Sequence, residues 1–278
     1  MKTEKIFKIL FFPFLAVVVY MVIWLVKGQP LLTKVGNTWM CTYSSYLDFD
    51  DDNLKESDIQ KIQRFEWVEK FNGSFWNVNN LECIRNMKNL KTILISIYKP
   101  NNIIDWTGIS NCSNIEDVYI SGGELSDLSS FVGLKKLKSL ALEWGREGAE
   151  IDIQKISELT SLEYLIIEGY TIKNVEALSD VSTLKSIIIK GRAEDIVSSC
   201  PADNLEILCY KAYSESEFEA SDFLRFENLK KLSVTGAYIN NIENIVDMKN
   251  LEEISVDGEL YSDDELSVLE SNGMYVNR

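Results

Sequence analysis

The chain has 278 residues, 46% of them hydrophobic and 26% charged, enough apolar material for a continuous core of one or two domains. Its 43 acidic against 28 basic residues give a formal charge of −15, which repels phosphate backbones and disfavours nucleic acid as a partner. There is no histidine, so Ser-His-Asp and Cys-His nucleophiles and most zinc sites are excluded; no enzyme, cofactor or metal site is expected.

The amino terminus is the basic exception. Lys2, Lys5, Lys8 and Lys27 stand against Glu4, and between them Ile9 to Val26 runs for 18 residues without a charge. As a helix this stretch is roughly 27 Å long, close to the ~30 Å hydrocarbon core of a bilayer. Residues 1–28 therefore read as a cytoplasmic tail and a single-pass signal-anchor, with Ile9, Phe14, Val18, Ile23 and Val26 in the membrane. The lysines before the span place the amino terminus in the cytoplasm and the rest outside. The competing reading is a signal peptide cut after Gly28; bulky Tyr20, Met21, Ile23 and Trp24 near its end weigh against it.

Residues 29–53 show neither a helical nor a strand period and end in Asp48, Asp50, Asp51, Asp52 and Asn53, so they read as a linker. The acidic run resembles the start of a calcium loop, but Asn53 replaces the turn glycine and Ile59 stands where the bidentate Glu belongs.

From Leu54 to Arg278 the chain repeats itself. Eight registers of the form L-x-x-L-x-L begin at Leu90, Ile115, Leu137, Leu162, Leu184, Leu205, Leu229 and Leu251, spaced 25, 22, 25, 22, 21, 24 and 22 residues apart. A weaker ninth, Ile62/Phe65/Trp67, lies before them. The second half of each unit carries an apolar residue at every third position, as in Val175-x-x-Leu178-x-x-Val181-x-x-Leu184 and Leu128-x-x-Phe131-x-x-Leu134-x-x-Leu137. Period three is that of a 3-10 turn, so each unit is a short strand and a tight return whose apolar face is buried only when neighbours stack. Leu54 to Gln63, with Ile59 and Ile62 facing inward, reads as a capping helix. Ser262-x-x-Glu265 is a capping box before a closing helix that Asn272-Gly273 stops, ahead of a last strand at Tyr275-Val276.

These units resemble leucine-rich repeats, closest to the 22-residue internalin or SDS22-like bacterial class, whose I-x-D/N-I element is matched by Ile172-Lys173-Asn174-Val175, Ile239-Asn240-Asn241-Ile242 and Leu125-Ser126-Asp127-Leu128. The resemblance implies an α/β solenoid: a horseshoe with parallel strands on its concave face and short 3-10 or helical returns on its convex face. It also implies a bacterial cell-surface protein that recognises other proteins. One feature departs from the class. The ladder asparagine expected after each strand is replaced by Tyr98, Gly123, Gly145, Tyr170, Arg192, Tyr213, Ala237 and Glu259, so the corners need other hydrogen-bond partners and are expected to be less regular.

If the pattern residues point into the core, the residues between them point to the concave surface. The central column then reads Leu94, Tyr119, Ala141, Ile166, Ile188, Cys209, Ser233, Ser255. Tyr164 stands in the column beside it, Glu143, Glu168, Lys190 and Lys211 on the other side, and Trp144, Tyr170, Tyr98 and Tyr213 at the strand exits. This is the expected partner-binding stripe, with a protein as occupant. A glycan is the alternative, stacked on Tyr119, Trp144, Tyr164 and Tyr170, with Glu143 and Glu168 accepting hydrogen bonds. Of the five cysteines Cys112 takes a core position and is expected to be an inert thiol, whereas Cys200 and Cys209 pair only if a loop folds back.

Overall fold

The strand-and-return period builds one continuous sheet. The computed structural model describes residues 15–24, 26–50, 56–75, 80–98, 105–123, 125–143, 149–193, 195–213 and 216–278. The sequence-expected positions Ile9, Phe14, Leu54 and Trp144, and the side chain of Ile59, lie outside what is described.

Helix α1 (residues 15–24) is followed by a hairpin of β1 (Leu32–Val35) and β2 (Thr38–Cys41), then β3 (Tyr46–Asp50) and helix α2 (Glu56–Ile62). The repeats contribute β4 (Lys70–Phe75), β5 (Thr92–Ile97), β6 (Asp117–Ser121), β7 (Ser139–Glu143), β8 (Ala149–Asp152), β9 (Tyr164–Lys173) and β10 (Ser186–Arg192). After the short helix α3 (Ile196–Ser199) come β11 (Ile207–Ala212), β12 (Glu217–Glu219), helix α4 (Ala220–Phe223), β13 (Lys231–Thr235), β14 (Tyr238–Asn240) and β15 (Glu253–Val256). Helix α5 (Asp263–Ser271) and β16 (Tyr275–Asn277) end the chain.

Among the described residues the main sheet runs β3, β4, β5, β6, β7, β9, β10, β11, β13, β15, β16, every neighbour parallel. The order follows the chain because each 3-10 return carries it back to start beside the strand it has just left. Returns such as Thr107–Asn111, Gln154–Glu158, Val175–Asp180 and Ile242–Asp247 bury their period-three residues: Ile109, Ile156, Leu178 and Ile245 are solvent-free. Before two of these returns, Asn174 (φ 56°) and Asn241 (φ 54°) adopt the left-handed conformation, which asparagine tolerates better than other side chains; Asp195 (φ 56°) does the same before α3. In the third I-x-D/N-I element Asp127 instead accepts a hydrogen bond from the Ser129 amide at 2.7 Å, at the start of its return.

Three expectations change. Residues 29–53 are not an unstructured linker: β1 and β2 pair antiparallel, and β3 joins the sheet with Leu47 and Phe49 in the core. The ninth register is not Ile62/Phe65/Trp67 but Val68/Phe71/Gly73, since Phe71 pairs with Ile93 and Gly73 with Ile95. Ile62, Phe65 and Val68 are the period-three return, all buried, and Trp67 is exposed. Glycine in place of the last pattern residue hides the motif, while the bulky Phe71 fills the layer. Finally, the corners are braced by a second, broken ladder: β8 pairs with the far half of β9, and β12 with β14.

The closing helix α5 starts at a reciprocal capping box: Ser262 Oγ accepts from the Glu265 amide, and the Glu265 carboxylate accepts from the Ser262 amide. Helix α1 is different. Over residues 15–24 its side chains are exposed on all sides, Ile23 alone being half-buried. Among the described residues no helix is long and apolar enough to cross a membrane.

Candidate functional site: the concave strand face

The parallel register sets one residue from each repeat beside its equivalent in the next, about 4.8 Å away. Leu94 lies next to Tyr119, Tyr119 next to Ala141, Ala141 next to Ile166, Ile166 next to Ile188, and Ile188 next to Cys209. The column therefore exists as a contiguous strip, roughly 24 Å from Leu94 to Cys209. Most of its members are half-buried, and Ala141 is fully buried. Apolar residues thus face the concavity through their tips, and neighbouring strands shade their flanks.

Polar networks bound the strip. At its amino-terminal end Asp48 accepts from Tyr46 Oη (2.9 Å) and Asn72 Nδ2 (2.9 Å). At the other end the column becomes Ser233 and Ser255, flanked by the Lys231–Glu253 pair at 2.7 Å. Along one side, Tyr119 donates to Glu143 Oε2 at 2.7 Å and Lys190 to Glu168 Oε2 at 3.0 Å. The carboxylate accepting its proton, aided by burial, raises the Tyr119 phenol above its ordinary value, and the Glu168 carboxylate likewise raises the Lys190 ammonium. Tyr164 stands up beside the strip 46% exposed, and Lys211 is exposed.

Tyr170 does not belong to this surface. It is 3% exposed, inside the core. Gly169 (φ 86°) puts two residues rather than one between the inward-facing Ile167 and Tyr170, turning the corner so that the ring points in. There Tyr170 pairs with the small Ala149 of β8, and Gly191 passes so close to its carbonyl oxygen that a Cβ would collide with it. Tyr98 and Tyr213, at the exits of other repeats, are about half exposed.

The structure also shows two ladders that the sequence reading missed, both at the strand entries rather than the exits. In the first, the residue before the opening leucine donates to a backbone carbonyl of the preceding repeat. Asn89 donates to Glu66, Asn114 to Lys88, Ser161 to Lys135, Asn204 to Ser182, Asn228 to Asp203 and Asn250 to Glu227, each acceptor lying one residue further upstream in its own repeat. An asparagine ladder is present, moved to the opposite corner. The second is the residue just after the opening leucine: Glu69, Lys91, Glu116, Lys138, Glu163, Lys185, Glu206, Lys230, Glu252. The signs alternate without a break. Each amide in the column donates to the carbonyl of the member before it, and four lysines pair back onto glutamates at 2.6–3.0 Å: Lys91–Glu69, Lys138–Glu116, Lys185–Glu163 and Lys230–Glu206.

None of the five cysteines is in a disulfide. Burial pushes Cys112 and Cys200 up to about 12, and Cys112 Sγ also donates to the Ile84 carbonyl at 3.3 Å. Under native conditions at neutral pH, a maleimide is expected to label Cys41 fast and Cys209 slowly. Cys83, Cys112 and Cys200 should react only once the chain unfolds. Intact-protein mass spectrometry over time counts the adducts, and prompt uptake of three or more labels contradicts this burial.

No protein-family model matches the chain, and no curated protein is similar to it in sequence. Solved structures are similar to it in fold. An internalin from Listeria monocytogenes superposes with a TM-score of 0.63 at 18% identity, over 84% of this chain and 66% of that one. The fold is a leucine-rich-repeat solenoid. A leucine-rich-repeat protein from Leptospira interrogans superposes with a TM-score of 0.56 at 16% identity, over 79% of this chain and 57% of that one. The chain thus spans less than two thirds of the length of either, and at these identities the likeness concerns the fold.

Proposed function

We propose that this leucine-rich-repeat solenoid is a recognition module that binds another protein on its concave face, and that its apolar amino terminus holds it at the outer side of a cell membrane. The observation that carries the first part is the strip from Leu94 to Cys209. A half-buried apolar row bounded by satisfied polar networks has the anatomy of an interface, with a water-excluding centre and a charged rim of Glu143, Glu168, Lys190 and Lys211. Tyr164 supplies an aromatic anchor beside it. The carboxylates of Glu143 and Glu168 are already engaged by Tyr119 and Lys190, which weighs against a sugar as the occupant.

The second part is supported by α1, which is apolar all round and leaves its side chains open. A helix of that kind needs an apolar surrounding, and the uncharged run from Ile9 to Val26 behind three lysines suits a bilayer with the amino terminus inside.

The test is photo-crosslinking on intact cells, with the probe placed at Tyr164 and the captured molecule identified. Ile166→Glu with Ile188→Glu should weaken capture roughly 30-fold, the equivalent of about 2 kcal/mol at the centre of an interface. Capture that is unchanged by this pair, in a chain with an unaltered urea midpoint, rejects the strip.

A further inference from the structure

The amino-terminal cap carries a face that none of the described residues covers. In the hairpin, side chains alternate. Thr33, Val35 and Thr42 are buried inward, where Thr33 and Thr42 share a hydroxyl hydrogen bond of 2.9 Å. Leu32, Lys34, Trp39 and Cys41 point the other way, and the register sets Lys34 opposite Trp39 and Leu32 opposite Cys41. Leu32 is 46% and Trp39 65% exposed, the second an unusual value for a tryptophan in a strand.

This face is tied to the end of the apolar helix. The Gly28 amide donates to the Trp24 carbonyl at 2.9 Å, and Lys27 Nζ sits 5.6 Å over the exposed ring of Trp67. Gln29 Nε2 donates to Glu66 at 3.3 Å, and Tyr43 Oη to the Gln29 carbonyl. The helix therefore leaves the cap as part of it rather than on a loose tether. The local charge also runs against the rest of the molecule: residues 27–47 contain Lys27 and Lys34 and no acidic residue, in a chain with 43 of them.

We infer that the outer face of the hairpin, Leu32, Lys34, Trp39 and Cys41, lies on the headgroup region of the membrane that holds α1 and fixes the solenoid's attitude to it. The inference rests on the membrane reading above. Its chemistry is that of an interfacial belt: indole rings settle at the headgroup level, with lysines beside lipid phosphates. The bilayer is the occupant because the face begins six residues after the apolar run ends and is braced to it by the contacts just described.

The experiment uses the full chain carrying Cys209→Ser, labelled at Cys41 with an environment-sensitive fluorophore, in phosphatidylcholine–phosphatidylglycerol vesicles. The expected result is a blue-shifted emission quenched by headgroup-attached nitroxide lipid. Both should be lost in Leu32→Glu with Trp39→Glu while the chain still floats with the vesicles. A floating chain whose Cys41 label emits as in water overturns the foot and leaves the anchor standing. A chain that does not float at all overturns the anchor reading and this inference with it.

Discussion

Phe131→Ala is expected to destabilise the solenoid by about 3–5 kcal/mol, the range for deleting a large buried aromatic ring. Phe131 has no exposed surface and lies in the return Ser129–Phe131, its ring centroid 6.4 Å from that of Trp106. The neighbouring layers are held in place by their own strand ladders, so they cannot collapse into the space it leaves. In a repeat protein each unit contacts only its neighbours, so the damage is local. The unfolding curve should therefore split, with the repeats on either side of the defect melting at different urea concentrations. Circular dichroism through a urea titration reads this, and Phe131→Leu should cost far less. A single transition with an unchanged midpoint rejects the role given to Phe131.

The second large effect belongs to the entry ladder. Asn204, Asn228 and Asn250 donate to backbone carbonyls at 2.9, 2.6 and 2.8 Å, joining successive repeats at a corner that has no strand pairing. Each such bond contributes on the order of 0.5–1.5 kcal/mol, so the triple alanine variant should lose roughly 2–4 kcal/mol. Aspartate at the same positions separates hydrogen bonding from size. It has the same shape, but its carboxylate turns acceptor against acceptor, so the triple aspartate variant should be less stable than the triple alanine one. If both variants melt with the parent, the ladder carries no stability.

The concave strip and the repeat register were legible because they rest on pattern leucines that few other folds space in this way. The missed elements share a cause: each depends on a residue that breaks the pattern. Gly73 stands where Ile95 stands in the next repeat, so the register of β4 was set at Ile62/Phe65/Trp67, and β3, one strand before it, was assigned to a linker. Gly169 adds one residue to the alternation of β9, so Tyr170 was assigned to the surface when it belongs to the core. The asparagine ladder was sought after the strands, where the resembling class keeps it. It lies before them, in a run of Asn-Leu and Asn-Ile dipeptides at 89–90, 114–115, 204–205, 228–229 and 250–251 that was visible in the sequence from the start.

The alternating column from Glu69 to Glu252 gives the solenoid a parity. Excising residues 138–162, one repeat, would bring Glu163 beside Glu116 and set like charges one strand apart. Excising 138–184, two repeats, would bring Lys185 beside Glu116 and restore the alternation. The spacings echo this, since the first steps of the column alternate 22, 25, 22, 25 and 22 residues. The unit that can be gained or lost without an electrostatic scar is therefore a pair of repeats of about 47 residues, long with short and acid with base, rather than the single turn of the coil that the leucines count.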